Sequence, residues 1–195
     1  MGNRAFIIHG RLGYPEEAWL PWLKLELEKK GYEVALPAMP DPARPMIREW
    51  IGFISKLVGE PDEKTVMVGH SLGCQAVLRY LETVGASGKS VRRTVLVAGS
   101  YPTGMPIDEA RERADGNDAM LPWFSVGVDA TKVRKAAGTC TVILSDDDPY
   151  IPLERAISSY EANLRAKIVV EHGKGHFNED DGLVDLPAAL DAVIS

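Results

Sequence analysis

Two hydrophobic rhythms alternate along this chain. The runs Ala5-Phe6-Ile7-Ile8-His9-Gly10, Thr65-Val66-Met67-Val68, Thr94-Val95-Leu96-Val97-Ala98-Gly99, Thr139-Cys140-Thr141-Val142-Ile143-Leu144 and Lys167-Ile168-Val169-Val170-Glu171 are short, apolar and rich in β-branched residues. Continuous runs of this kind fit strands of a parallel sheet, which are covered on both faces and so lose the in-and-out alternation. Tyr32-Glu33-Val34-Ala35-Leu36-Pro37 reads as one more short strand. Between the strands the period changes to that of a helix. Pro21 to Gly31 is bracketed by a proline tolerated only in a first turn and a glycine suited to the position just past the end. Met46 to Val58 carries Ile47, Trp50, Ile51, Ile54 and Leu57 on one stripe, the spacing of a core-facing helix. Further helices are expected from Cys74 to about Val84, from Pro152 to Leu164 and from Leu183 to Ile194.

The connections are equally marked. Met39-Pro40-Asp41-Pro42-Ala43-Arg44-Pro45 is too rich in proline for regular structure, and Gly59-Glu60-Pro61-Asp62 breaks the chain before a strand. Gly85-Ala86-Ser87-Gly88-Lys89-Ser90 reads as a flexible turn; it lacks the spacing of a phosphate-binding loop. Residues 100–138 show no strand pattern. There Asp108, Glu109, Arg111, Glu112 and Arg113 precede Met120-Leu121-Pro122-Trp123-Phe124, and a helix capped by Asp129 follows. This segment is either a small cap over a cleft or a crossover connection. Regular alternation of strand and helix predicts one α/β domain over residues 1–195, with a doubly wound, mostly parallel sheet of about six strands, helices on both faces and right-handed crossovers. No repeat, linker or low-complexity segment interrupts it.

Composition narrows the function classes. A length of 195 residues suits one domain, and the 45% apolar and 26% charged shares are those of an ordinary globular protein. The net charge of -6 argues against nucleic acid as a partner, since phosphates need a basic face. Two cysteines, Cys74 and Cys140, make no disulfide framework and fit a reduced, cytoplasmic protein. The N-terminal apolar run is too short for a signal peptide, Met1-Gly2 is followed by Phe6 where a myristoylation signal has Ser or Thr, and no membrane span is expected.

The chemistry is concentrated just after the strands, where ligands bind in open parallel sheets. Gly69-His70-Ser71-Leu72-Gly73 joins a strand to a helix and reads as a nucleophile elbow, a sharp turn that lifts the serine hydroxyl above the sheet. The glycines stand where a Cβ would collide with adjacent backbone, and Ser71 must accept strained dihedrals. A serine hydroxyl needs a neighbouring base. Asp148 follows the fifth strand in Ser145-Asp146-Asp147-Asp148-Pro149, and His176 follows the sixth in His172-Gly173-Lys174-Gly175-His176-Phe177. Ser71 is thus the candidate nucleophile, His176 the base and Asp148 the acid that orients it. Asp148 is preferred over Asp146 and Asp147 because Pro149 and Ile151-Pro152 place it at the bend; the other two read as solvated loop charge. His172 is the rival base, with less reach. Calcium and zinc readings of these clusters lack the remaining ligand spacing, so no metal and no cofactor is expected. The oxyanion hole is expected from the backbone N–H of Leu72 and of Arg11, with Gly10 either allowing close approach or simply ending its strand. Tyr14, Trp19, Tyr101 and Trp123 are candidates for an acyl pocket or for core.

With Gly69-His70-Ser71-Leu72-Gly73, Asp148-Pro149 and Gly175-His176-Phe177 in place, the chain resembles the α/β-hydrolase superfamily. More narrowly it is similar to small serine hydrolases related to retinoblastoma-binding protein nine, through the Trp22-Leu23-Lys24 helix, Met39-Pro40-Asp41-Pro42 with Trp50 downstream, and Ser145 to Pro152. The resemblance implies a compact α/β-hydrolase fold. It implies cofactor-independent hydrolysis of carboxylic esters or related acyl compounds, with Ser71, Asp148 and His176 as the triad. The likeness is weaker over Ser100 to Gly138, and the retinoblastoma-binding motif L-x-C-x-E is absent, so that partner does not carry over. The expected partner is a small acyl substrate. The competing readings are an acyltransferase or lyase using the same triad, and a binding protein that keeps the fold without catalysis.

Overall fold

Every apolar run becomes a strand of one six-stranded sheet in the computed structural model, which describes residues 2–195; Met1, part of the stretch weighed for lipidation, lies outside the described residues. The strands are β1 (Arg4–Ile8), β2 (Glu33–Ala35), β3 (Thr65–His70), β4 (Arg93–Val97), β5 (Thr139–Ser145) and β6 (Lys167–Glu171). Their order is β2-β1-β3-β4-β5-β6, and all five pairings are parallel. The helices are α1 (Leu20–Lys29), α2 (Ile47–Val58), α3 (Leu72–Ala86), α4 (Ile107–Ala114), α5 (Leu121–Ser125), α6 (Ala130–Ala136), α7 (Leu153–Leu164) and α8 (Pro187–Ile194).

The loss of alternation has its expected cause: successive residues of each central strand serve different cores. Ala5, Ile7, Val66, Val68, Val95 and Val97 face Leu20, Leu23 and Leu27 of α1 and Ala189 and Val193 of α8. Phe6, Ile8, Met67, Leu96 and Val142 face the opposite side, covered by Trp50 and Ile54 of α2, the apolar face of α3, and α6 and α7. Three of the four α1 leucines, Leu20, Leu23 and Leu27, are fully buried, which at roughly 1.5–3 kcal/mol each is what docks that helix, while Leu25 faces solvent.

Register places the site. Ile8 pairs with Gly69, His70 with Val97, and Ser145 with Glu171, so the carboxyl ends of five strands share one rim. The chain leaves β1 toward β2 on one side and returns to β3 on the other, making β1/β3 the topological switch point where a crevice must open.

Three boundaries differ from the sequence reading. First, α3 continues through Ala86, so Gly85 is helical and the turn begins later; a Cβ there would lie 2.0 Å from the Lys132 carbonyl oxygen, so the glycine lets α3 and α6 touch. Second, α8 begins at Pro187 and not at Leu183, because a proline lacks the N–H of a helix interior and holds Leu186 extended at φ -149°. Third, 107–114 is a helix whose acidic first turn and basic last turn complement its dipole. Within 100–138, α4 and α5 lie against each other over the rim, while α6 packs along α3. Arg79 of α3, 5% exposed, ties the first part down by donating to the Trp123 and Val126 carbonyls and stacking 5.5 Å from the Trp123 ring. No helix among the described residues is long and apolar enough to cross a membrane.

Candidate active site

The turn from β3 into α3 is built by exclusion. A Cβ on Gly69 would come within 2.8 Å of the Cys74 backbone, and one on Gly73 within 2.2 Å of the Ile8 carbonyl oxygen, so only glycine admits so tight a turn. Ser71 sits at φ 53°, ψ -120°, dihedrals an L-residue rarely adopts, and its N–H is held by the Val97 carbonyl at 2.9 Å. On the other side of the crevice a Cβ on Gly10 would fall 2.9 Å from the Ser71 Cβ, so this glycine serves close approach, and β1 itself ends two residues earlier, at Ile8.

The structure brings Ser71, His176 and Asp148 together. The Ser71 hydroxyl donates to His176 Nε2 at 2.8 Å, and His176 Nδ1–H donates to Asp148 Oδ2 at 2.8 Å. The Asp148 side chain is 1% exposed, and its other oxygen accepts from the N–H groups of Tyr150 and Ile151 at 2.8 and 3.0 Å. Backbone donors thus stabilise the buried carboxylate, as the bend at Pro149 suggested. The Tyr150 ring stands edge-on to the imidazole at 4.9 Å.

The loop that carries His176 is held by groups that sequence reasoning assigned no such part. Asp146 accepts from Gly173 N–H and from His172 Nδ1–H, Asp147 accepts from Gly175 N–H and the Ser145 hydroxyl, and Ser145 Oγ accepts from Lys174 N–H. Asp146 and Asp147 are therefore structural clamps as well as loop charge, and these bonds hold both carboxyls below the usual carboxylate range. His172, the rival base, is spent on Asp146 at the surface, and that partner raises its pKa. Asp181 accepts from His176 N–H, Trp19 Nε1–H donates to the Phe177 carbonyl, and Phe177 is fully buried.

His70 and His9 complete the support. His70 Nε2–H donates to the His176 carbonyl at 2.9 Å, and complete burial pushes the His70 pKa down to about 4, with His176 adding to the effect. His9 accepts from Met39 N–H at Nε2, which puts its proton on Nδ1 for donation to the Gly10 carbonyl. Burial lowers its pKa as well. Both imidazoles are neutral props, one for the backbone at His176 and one for the loop after β1.

That loop is pinned on either side of Arg11, through Gly13 N–H to Gly10 and Leu12 N–H to the Pro42 carbonyl. Among the described residues no hydrogen bond takes up the Arg11 N–H, and Leu72 is the first residue of α3, whose N–H lies outside the helix's own bonding. Arg11, Ser71 and Leu72 line one cleft. Tyr101 and Trp123 line its continuation. Trp19 is core, and Tyr14 lies at the surface, donating to Glu179, which pushes the phenol up to about 12.

A parallel doubly wound sheet with a strained serine at its switch point, hydrogen-bonded to a histidine and through it to an aspartate, is the arrangement of the α/β-hydrolase class. The comparisons with known proteins narrow this. A family profile described as serine hydrolase matches residues 5–194, and the chain belongs to that family. It is 33% identical over 199 residues to YdeN of Bacillus subtilis, covering 100% of this chain and 96% of that one. It is 28% identical over 185 residues to the serine hydrolase RBBP9 of Rattus norvegicus, covering 92% and 89%. The crystal structure of the Bacillus subtilis YdeN product superposes with a TM-score of 0.83 at 28% identity, covering 98% of this chain and 96% of that one. Est1E of Butyrivibrio proteoclasticus, solved with ferulic acid, shares the fold at a TM-score of 0.70 and 16% identity, covering 99% and 90%.

Proposed function

We propose that this serine hydrolase cleaves carboxylic esters or related acyl compounds of small molecules through Ser71, His176 and Asp148. One observation carries the reading: an unbroken line of hydrogen bonds, each 2.8 Å, from the Ser71 hydroxyl through both ring nitrogens of His176 to Asp148. As Ser71 Oγ attacks the acyl carbon, its proton passes to His176 Nε2, and Asp148 stabilises the resulting imidazolium. The carbonyl oxygen becomes an oxyanion facing the N–H groups of Leu72 and Arg11. Collapse expels the alkoxide, which takes the proton from His176 and leaves an acyl-enzyme. Water then repeats the sequence, losing its proton to His176 and returning Ser71 as the acid departs.

The two cysteines, both free and buried, support a cytoplasmic location. A fluorophosphonate probe is expected to label Ser71. Ser71→Ala is expected to abolish both labelling and p-nitrophenyl ester turnover, and an alanine variant with full activity would refute the assignment.

A further inference from the structure

The cleft at Ser71 does not end there. It shares Gln75, Ser100, Arg113, Phe124 and Ile151 with a deeper extension beneath α5 and the start of α7. Phe124 and Ile151 supply apolar wall where the two parts meet, and every charged side chain lining either part is an arginine: Arg11 beside Ser71, Arg113 at the junction, and Arg155 in the extension. This runs against the composition, in which acids outnumber bases by 28 to 22.

None of the three is neutralised. Among the described residues no carboxylate lies within ion-pair distance of Arg11, Arg113 or Arg155, whereas other bases, such as Arg4, Lys24 and Arg111, have acidic partners. Arg113 is steered by neutral groups only: it reaches toward the Tyr150 carbonyl at 3.5 Å and lies 5.1 Å from the Phe124 ring. Its charged form is disfavoured first by the atoms packed around it and then by Arg155, so the two guanidinium groups feel each other across the pocket. Like charges held together without a counter-ion gain most from an anion that enters between them, and a guanidinium fork matches the planar oxygens of a carboxylate.

We propose that the natural substrate is an acyl ester bearing a carboxylate at the far end of an apolar chain, and that Arg113 and Arg155 bind this carboxylate while the scissile carbonyl lies over Ser71. This rests on the ester-hydrolase reading and names its substrate class. Phe124 and Ile151 cover the chain between the two ends. Because the protein as a whole repels anions, the preference must come from these local groups and fade as salt screens them.

The test is a series of mono-p-nitrophenyl esters of adipate, suberate and sebacate, each compared with the uncharged p-nitrophenyl alkanoate of equal chain length. The wild-type enzyme is expected to favour at least one charged ester by roughly tenfold in kcat/KM, the scale for one carboxylate meeting two partly exposed guanidinium groups. That ratio is expected to fall toward one in Arg113→Gln combined with Arg155→Gln, to recover in part with Arg155→Lys, and to shrink at high salt. A wild-type enzyme that turns over the neutral esters with no preference for the charged ones would overturn the inference and leave the hydrolase reading standing. A preference that survives removal of both arginines would overturn it too, and absence of turnover for every ester together with no fluorophosphonate labelling would remove both. The wild-type ratio needs no variant to fold, and both arginines are exposed, so their replacement leaves the core untouched.

Discussion

Acid should unfold this protein earlier than its surface charge suggests, because His70 is buried in the neutral form. In the unfolded chain its imidazole binds a proton at a pKa of 6.5, whereas in the fold the value is about 4. The sign follows from proton counting: between those values the unfolded state holds the proton and the folded state does not, so stability is full above about pH 6.5 and is lost as pH falls toward 4. The full difference of about 2.5 units corresponds to ~3 kcal/mol, and near pH 5, where the unfolded imidazole is largely charged and the folded one is not, about 2 kcal/mol is already gone. His9 contributes in the same direction, and His172, raised by Asp146, in the opposite one. The hydrogen bonds that clamp Asp146 and Asp147 lower their carboxyls, moving them away from this window. His70→Gln isolates the effect, since an amide can still donate to the His176 carbonyl but has nothing to titrate. Urea unfolding at about pH 7 and about pH 5 should show wild type losing roughly 2 kcal/mol more than the variant. Equal losses in the two proteins would refute the argument, because a charge-accepting His70 would then be tolerated in the fold.

Two further substitutions probe the two sides of the site. Gly73→Ala would put a Cβ 2.2 Å from the Ile8 carbonyl oxygen and 2.7 Å from that of His9, both backbone atoms of a central strand and its end. A loss of about 3 kcal/mol and a Tm lower by on the order of 10 °C are expected in a calorimetric scan, and an unchanged Tm would show that β1 and the elbow can separate. Asp147→Ala removes the acceptor of Gly175 N–H, one residue before the base. A kcat about tenfold lower with little change in Tm is expected in ester turnover and thermal melts, since misplacing a base by a fraction of an ångström costs rate before it costs stability; undiminished kcat would show that the other clamps suffice.

What the sequence disclosed and what it withheld follow the range of the interactions involved. The strands were legible because burial on both faces leaves an unbroken apolar run, and the polar residues of the site because Ser71 directly follows β3 while Asp148 and His176 lie in the loops that leave β5 and β6. The helix at 107–114 was missed because it is short and mostly polar; it stands through its contact with α5, itself fixed by Arg79. Leu183 looked like a helix start because apolar residues continue from it, but a single proline four positions later governs the backbone. The duties of Asp146 and Asp147 were illegible because their acceptor roles depend on N–H groups 27 and 28 residues away. His70 occupies a variable position of the elbow motif, and nothing local to it hints that its ring meets a carbonyl 106 residues downstream.

These ranges divide the site into two halves that hold their geometry by different means. Ser71, the proposed nucleophile, is placed by steric exclusion: glycines at 10, 69 and 73 let three backbone segments approach so closely that Ser71 has nowhere else to go. His176, the proposed base, is placed by polar satisfaction, with the loop from 173 to 177 tied through Asp146, Asp147, Ser145, Asp181, Trp19 and His70. Steric exclusion does not respond to pH, whereas the buried neutral imidazole of His70, which holds the His176 carbonyl, does. Moderate acid should therefore disturb the position of His176 before it disturbs that of Ser71, separating loss of activity from loss of the elbow. The arrangement makes His176 the softer partner, which suits the proposed mechanism: there Ser71 would stay fixed through attack and release, while His176 would face first the serine oxygen, then the leaving group, then water.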